Sequence, residues 1–499
     1  MAKASETVVG GGKSMTSTSG RRPSATGGNG EGNGSGDDPD LVCFNGVDAA
    51  TGRLLIEPMP LADLAALAVE TKVFDAAAST PLVSAQQRRR LGLSYGVDPS
   101  DVAQAGWGVL FAPGTGADVR DALAPLLEHR RRQAGKRFRS FDVQAGEDAV
   151  AFLARHDVGL GDVNPNRVPL YLLIIGEPKD IPYDFQYLLD ADYAVGRIAF
   201  DDVDDYHRYA TALVRSETQP AGRRSAAVFA TRNPGDRATK LSATRLARPL
   251  LENLRTRMPN WAIREVLDEQ ATKPALSSLI NAADRPSVLF TACHGIGFPP
   301  DDPDLQKARQ GALLCQEWRP LSPGPVPPDF YFGADDIPGD AALDGMVAFH
   351  FACYGAGSPD FDDFRTGGDG RPLRLAPDPF VAALPKRMLR QGASAVIGHV
   401  DRAWAYSFMW RGISSYVDAF VDSLHCLLDG KPVGLAAAYF DDRFKTVSVN
   451  LLRQIALARN GIPINELSLA NDWIICRDAR NYTVVGDPAA RISFPPPAP

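Results

Sequence analysis

Cysteine is scarce in this chain. Six are spread over 499 residues, at Cys43, Cys293, Cys315, Cys353, Cys426 and Cys476. So wide a spacing excludes a disulfide framework and suits a reducing compartment. No apolar stretch approaches the ~18 residues of a membrane span, and the N-terminus lacks the apolar core of a leader. The expectation is therefore a cytoplasmic protein with no membrane partner. A strong charge of either sign is missing too: the formal net charge of −7 is small for this length and gives no reason to expect a nucleic-acid partner. The local exception, His129-Arg130-Arg131-Arg132 to Arg139, reads as a solvated helix end before it reads as a dock for an acidic partner. Solenoid repeats are absent. So are CxxC, HxxxH and EF-hand spacings. No metal and no cofactor are expected, with calcium the one ion for which loop acids exist, at Asp301-Asp302-Pro303-Asp304 and from Asp360 to Asp363.

What is present is a long alternation of strand-like and helix-like segments. Residues 1–40 hold ten of the 45 glycines and almost no large apolar residue. They cannot bury enough surface to offset ordering entropy and read as a disordered tail; the proline-rich C-terminal end reads as frayed. From residue 41 onward, apolar runs such as Val168 to Gly176, Ser225 to Ala230 and Ala393 to Gly398 alternate with helical spacings such as Asp202 to Ser216, Ser242 to Arg257 and Pro432 to Arg459. Strands alternating with helices predict βαβ units, hence an α/β fold with mainly parallel sheets flanked by helices. A polar break from Glu217 to Arg224 divides it into two α/β subdomains, 41–218 and 219–499.

Two segments carry the chemistry. Ser287-Val288-Leu289-Phe290-Thr291-Ala292-Cys293-His294-Gly295 and Met346 to Gly357, which contains Cys353-Tyr354-Gly355, each read as a buried strand ending in a reactive side chain and a glycine. As neighbours in a parallel sheet they would bring His294 and Cys353 to one carboxyl edge, where open α/β sheets bind ligands. A thiol is poorly ionised at neutral pH and needs an adjacent base, which His294 supplies. The backbone N–H groups of Gly295 and Cys353 are the candidate oxyanion donors. Cys293 reads as core, His350 as a satisfied strand histidine. A zinc site of Cys293, His294, His350 and Cys353 is disfavoured, because alternation along two strands scatters the four over both faces.

The order of His294 before Cys353 and three further stretches resemble the caspase–gingipain–legumain clan of cysteine peptidases, and within it the gingipain type. The stretches are Leu172 to Pro182 with Asp192 to Ile198, Val400-Asp401-Arg402-Ala403-Trp404-Ala405 with Met409-Trp410-Arg411-Gly412, and Val484-Val485-Gly486-Asp487-Pro488. The resemblance implies a caspase/gingipain-like fold and an endopeptidase acting through a Cys353–His294 dyad. It implies Trp404 as an aromatic wall of the pocket for P1, the residue before the cut bond. Asp184 falls near the family's pocket acid, which would select basic P1 residues, with Asp362, Asp363 and Asp401 as rivals. Glu177 or Asp180 would orient His294. The expected substrate is a protein or peptide, and the chain is expected to be a regulated intracellular effector with an activating protein partner, controlled from 41–165. The alternatives are a catalytically silent interaction module of the same fold and another acyl-transfer enzyme with the same dyad.

Overall fold

The computed structural model describes residues 41–70, 93, 96–219, 223–320, 324–368, 370–410 and 414–495. The proposed tail over 1–40, the last four residues, and Arg411 and Gly412 lie outside the described residues.

Ten strands form the central sheet. In chain order they are β1 (Trp107–Phe111), β2 (Phe138–Asp142), β3 (Tyr171–Ile175), β4 (Ala194–Ile198), β5 (Ser225–Ala230), β6 (Ala262–Leu267), β7 (Val288–Ala292), β8 (Val347–Phe351), β9 (Ala395–His399) and β10 (Tyr482–Gly486). Across the sheet the order is β2-β1-β3-β4-β10-β9-β8-β7-β5-β6. Nearly all central positions are apolar and covered on both faces by helices, which is why these strands read as continuous apolar runs. Every neighbouring pair is parallel except β9 and β10, which run antiparallel with His399 opposite Tyr482. The sheet is thus two parallel half-sheets of opposite polarity. Strand β10 comes from the end of the chain yet pairs with β4 and completes the first half-sheet, and the described residues form one compact unit.

Local signals explain most helix starts. Asp202 caps Val203–Thr218 by accepting from the Asp204 N–H, and Thr272 caps Lys273–Asn281 by accepting from the Ala275 N–H. Helical spacing over Asp118 to Arg132 predicts one helix, whereas the structure has two, Ala117–Ala122 and Ala124–Ala134, with Pro125 in the first turn of the second. The first turns of the helix expected from Ser242 form a π-helical stretch, Ser242–Ala247. Sequence reading overlooked helix Glu466–Arg480. No helix among the described residues is long and apolar enough to cross a membrane.

The basic run is not a uniformly solvated helix end. Arg130 is fully buried; its guanidinium donates to Glu217 at 2.7 Å and to Asp487 at 2.7 Å, and His129 sits 2.7 Å from Glu217. Glu217, read as part of a polar break, is buried in the same cluster. Asp487 also accepts from the Trp107 indole at 3.0 Å. This buried ion cluster joins helix Ala124–Ala134 of the first half to the end of the chain.

Candidate active site

The register of β7 and β8 pairs Ala292 with Phe351. His294 and Cys353 each stand two residues further on, so they leave the carboxyl ends of adjacent parallel strands at the same level. Gly295 presses on the Cys353 backbone so closely that a Cβ there would collide with the Cys353 carbonyl, which is what a glycine at that position provides. Both reactive side chains are fully buried.

The imidazole is fixed at both nitrogens. Nδ1 of His294 accepts from the Gly46 backbone N–H at 2.8 Å, and a backbone N–H can only donate, so the ring proton sits on Nε2. Nε2–H then donates to Asp236 Oδ2 at 2.9 Å. Asp236 follows β5, the neighbour of β7, and caps helix Arg237–Leu241 by accepting from the Thr239 N–H at 2.8 Å and its hydroxyl at 2.6 Å. Burial works to raise the Asp236 carboxyl, but the His294 ring and the Thr239 donors outweigh it and hold it below the ordinary range. Sequence reasoning had looked for this acid at Glu177 or Asp180. Those two follow β3, in the half-sheet of opposite polarity. Glu177 instead accepts from the Val381 N–H at 3.1 Å and faces Lys386. A signal for Asp236 existed: an acid opening a D-x-x-T helix start just beyond a strand next to the histidine strand.

Cys353 Sγ accepts from the Ala403 N–H at 3.3 Å. Burial pushes its thiol up to about 12, against the pull of the Ala403 N–H and the Arg402 guanidinium. His350 pairs with the Thr291 hydroxyl at 2.8 Å, and burial lowers it to about 3; its neutral ring belongs to the core. Cys293 is likewise buried, its backbone N–H donating to Phe351 O at 3.2 Å.

Trp404 is buried beside this edge, its backbone N–H donating to Asp478 at 2.8 Å and its ring edge-on to Phe364, Trp473 and Phe44 at 5.6, 5.1 and 5.2 Å. Asp184 is elsewhere, exposed in the first turn of helix Tyr183–Asp190. The rival acids already have cationic partners. Asp362 accepts from Arg402 and from Arg365, Asp401 lies 3.3 Å from Arg402, and Asp363 accepts from Arg477 and Arg480. The same pairs occupy two of the acids that made calcium conceivable, and Asp302 caps helix Pro303–Arg309.

Residues 41–60, allotted by the sequence to the first subdomain, form a strap across this edge of the second. Val47–Asp48 pairs in parallel with Ile296–Gly297 just after His294, and Leu41–Val42 pairs antiparallel with Met59–Pro60. No sequence signal pointed to that crossing.

Fold and site together describe an α/β protein whose cysteine, histidine and aspartate converge at one carboxyl edge of a mostly parallel sheet. No protein-family model and no curated protein matches the chain. Among solved structures it is similar to one described as a protease, at 12% identity and TM-score 0.45, covering 77% of this chain and 78% of that one. It is also similar to the Arg-specific cysteine proteinase gingipain R, at 13% identity and TM-score 0.40, covering 78% of each. A looser likeness, at 10% identity and TM-score 0.29, is to the Saccharomyces cerevisiae separase–securin complex, covering 64% of this chain and 16% of that one. At these values the likenesses assign no activity and no residue role.

Proposed function

We propose that the chain is a cysteine endopeptidase that hydrolyses peptide bonds of a protein substrate through Cys353 and His294. The observation that carries this reading is the fixed imidazole: Nε2–H is held on Asp236, so the Nδ1 lone pair faces Gly46, accepting its N–H at 2.8 Å, and a Cβ added at Gly46 would sit 3.0 Å from Cys353 Sγ. With a substrate in place, Nδ1 takes the thiol proton, the thiolate attacks the peptide carbonyl, and the imidazolium returns the proton to the departing amine. Asp236 is the positioning residue that keeps the tautomer and steadies the imidazolium. The N–H groups of Gly295 and Cys353 are the donors for the oxyanion. Trp404 walls the substrate cleft.

Selection of basic P1 residues has no comparable support, because Asp362, Asp363 and Asp401 already face arginines and Asp184 is exposed. The six cysteines are unpaired, which suits a reducing, cytoplasmic setting and a regulated effector role.

One observation favours a catalytically silent module instead: the thiol is buried and protonated, and the base is capped by Gly46. Mapping new protein N-termini by mass spectrometry in a lysate decides between them. Wild type should generate a set of cuts that vanishes in Cys353→Ala and His294→Ala but persists in His350→Ala. Identical sets from wild type and Cys353→Ala would end the peptidase reading.

A further inference from the structure

A second histidine and carboxylate hold the part of the site around Cys353. His399 closes β9, which pairs with β8, the strand that leads into Cys353. Its ring lies edge-on to Phe351 at 5.5 Å, and both His399 and Asp478 are buried. Nε2 of His399 is 3.1 Å from Asp478 Oδ1. A carboxylate can only accept, so Nε2 carries the ring proton. Nδ1 has no hydrogen-bond partner among the described residues. A charged ring would bury a second N–H with nothing to accept it, so the imidazole is neutral and its one N–H goes to Asp478. The same oxygen, Oδ1, accepts the Trp404 backbone N–H at 2.8 Å.

One carboxylate oxygen thus receives both ends of the arc from His399 to Trp404, and between those ends the arc bears on the nucleophile. The Ala356 N–H donates to His399 O and the Tyr354 N–H to Asp401 O, each at 2.8 Å. The Ala403 N–H meets Cys353 Sγ at 3.3 Å. Tyr354, the residue after the nucleophile, has φ +57. A side chain keeps that left-handed conformation only where its surroundings impose it, and the arc imposes it through Asp401 O. Trp404, the cleft wall of the endopeptidase reading, also packs its ring 5.1 Å from Trp473, which shares helix Glu466–Arg480 with Asp478.

We propose that Asp478 is a positioning residue for the nucleophile and the substrate wall alike: through His399 it fixes the turn after Cys353, and through Trp404 it fixes the cleft. The inference rests on the endopeptidase reading and adds to it a residue that sets both turnover and substrate fit. Asp236 holds the base; Asp478 holds the nucleophile. Its action is placement rather than charge, because the carboxylate of Asp478 works to raise the Cys353 thiol and so opposes ionisation. A loss of turnover on neutralising Asp478 therefore reports displaced groups.

The test uses two substitutions in the full-length chain. Asp478→Asn keeps an oxygen for the Trp404 N–H but turns an amide donor toward the His399 N–H, so it should free that end alone; Asp478→Ala should free both. Hydrogen exchange read by mass spectrometry follows the placement without requiring activity. In Asp478→Asn, exchange should quicken roughly tenfold or more over Ala352–Ser358, as expected for one lost hydrogen bond to a charged group, and stay within about threefold over Val400–Tyr406. Asp478→Ala should quicken both segments, and β1 should exchange as in wild type in either variant. On a peptide taken from the lysate cuts, Asp478→Asn should lose roughly tenfold or more in kcat at a KM within about threefold, and Asp478→Ala should add a roughly tenfold rise in KM. If Asp478→Ala fails to fold, Asp478→Asn carries the test alone. Three results overturn the proposal and leave the endopeptidase reading standing: unchanged exchange over Ala352–Ser358 in Asp478→Asn; faster exchange in β1 as well, which makes Asp478 a general stabiliser; or local release with wild-type kcat and KM. A wild type that makes no lysate cuts removes the endopeptidase reading, and this inference with it, whatever the exchange pattern.

Discussion

Replacing Asp236 tests the site at the point the structure defines most sharply. Its Oδ2 accepts three hydrogen bonds, from His294 Nε2 and from the Thr239 N–H and hydroxyl. Asp236→Ala removes a helix N-cap, at about 1 kcal/mol, and leaves a buried imidazole N–H unpaired, at about 1–3 kcal/mol. The expected loss of stability is about 2–4 kcal/mol. Catalysis should suffer more. In comparable triads, loss of the acid that fixes the histidine tautomer lowers turnover by ~10⁴, which is ~5 kcal/mol of barrier. Asp236→Asn separates the two effects. It keeps an oxygen for the cap but turns an amide donor toward Nε2, driving the ring proton to Nδ1, where it meets the Gly46 N–H. That variant should melt close to wild type yet lose ~10²–10⁴ in kcat/KM. A folded Asp236→Asn protein with wild-type kcat/KM and pH profile would refute the assignment of Asp236 and His294 together.

Arg130→Met strands Glu217 and Asp487 in the interior without their cation, so denaturant unfolding should register a loss of about 3–5 kcal/mol; a loss under 1 kcal/mol would contradict the buried cluster. The same cluster sets an acid limit. Burial alone would raise Glu217, but Arg130 and His129 overcome it and hold the carboxyl at about 2, against 4.5 when unfolded. A depressed folded value means its contribution, about 3 kcal/mol, is complete above pH 4.5 and disappears as pH falls through about 2. Thermal melts of wild type should fall across that window and those of Glu217→Gln should fall less. Gly46→Ala forces a side chain into positive φ and against Leu55, at about 1–3 kcal/mol of local strain, so it should dislodge the strap; Cys353 alkylation by iodoacetamide should speed up severalfold, and an unchanged rate would show that the strap does not guard the thiol.

Much of the sheet was legible because strands buried on both faces must be apolar throughout. The runs at Val288 to Ala292 and Val347 to Phe351 could scarcely be anything else, and their shared endings at His294 and Cys353 made the pairing readable. Boundaries slipped where local chemistry intervened, as at Pro125 and the π-helical turn from Ser242. Strand Phe138–Asp142 was overlooked because at the sheet edge its residues are only partly buried, so the apolar signature is weak. The basic run misled because composition cannot distinguish a solvated arginine from Arg130, which is neutralised by carboxylates 87 and 357 residues away.

By itself the sequence determined the α/β class and the two neighbouring strand ends that carry Cys353 and His294, since these follow from local apolar runs. Tertiary structure alone decided the rest. The antiparallel join of β9 and β10 reverses polarity between the half-sheets, which gives the histidine to Asp236 and denies it Glu177. The strap closes over this edge through backbone hydrogen bonds, which are blind to side-chain identity, so the crossing left no signal in the sequence.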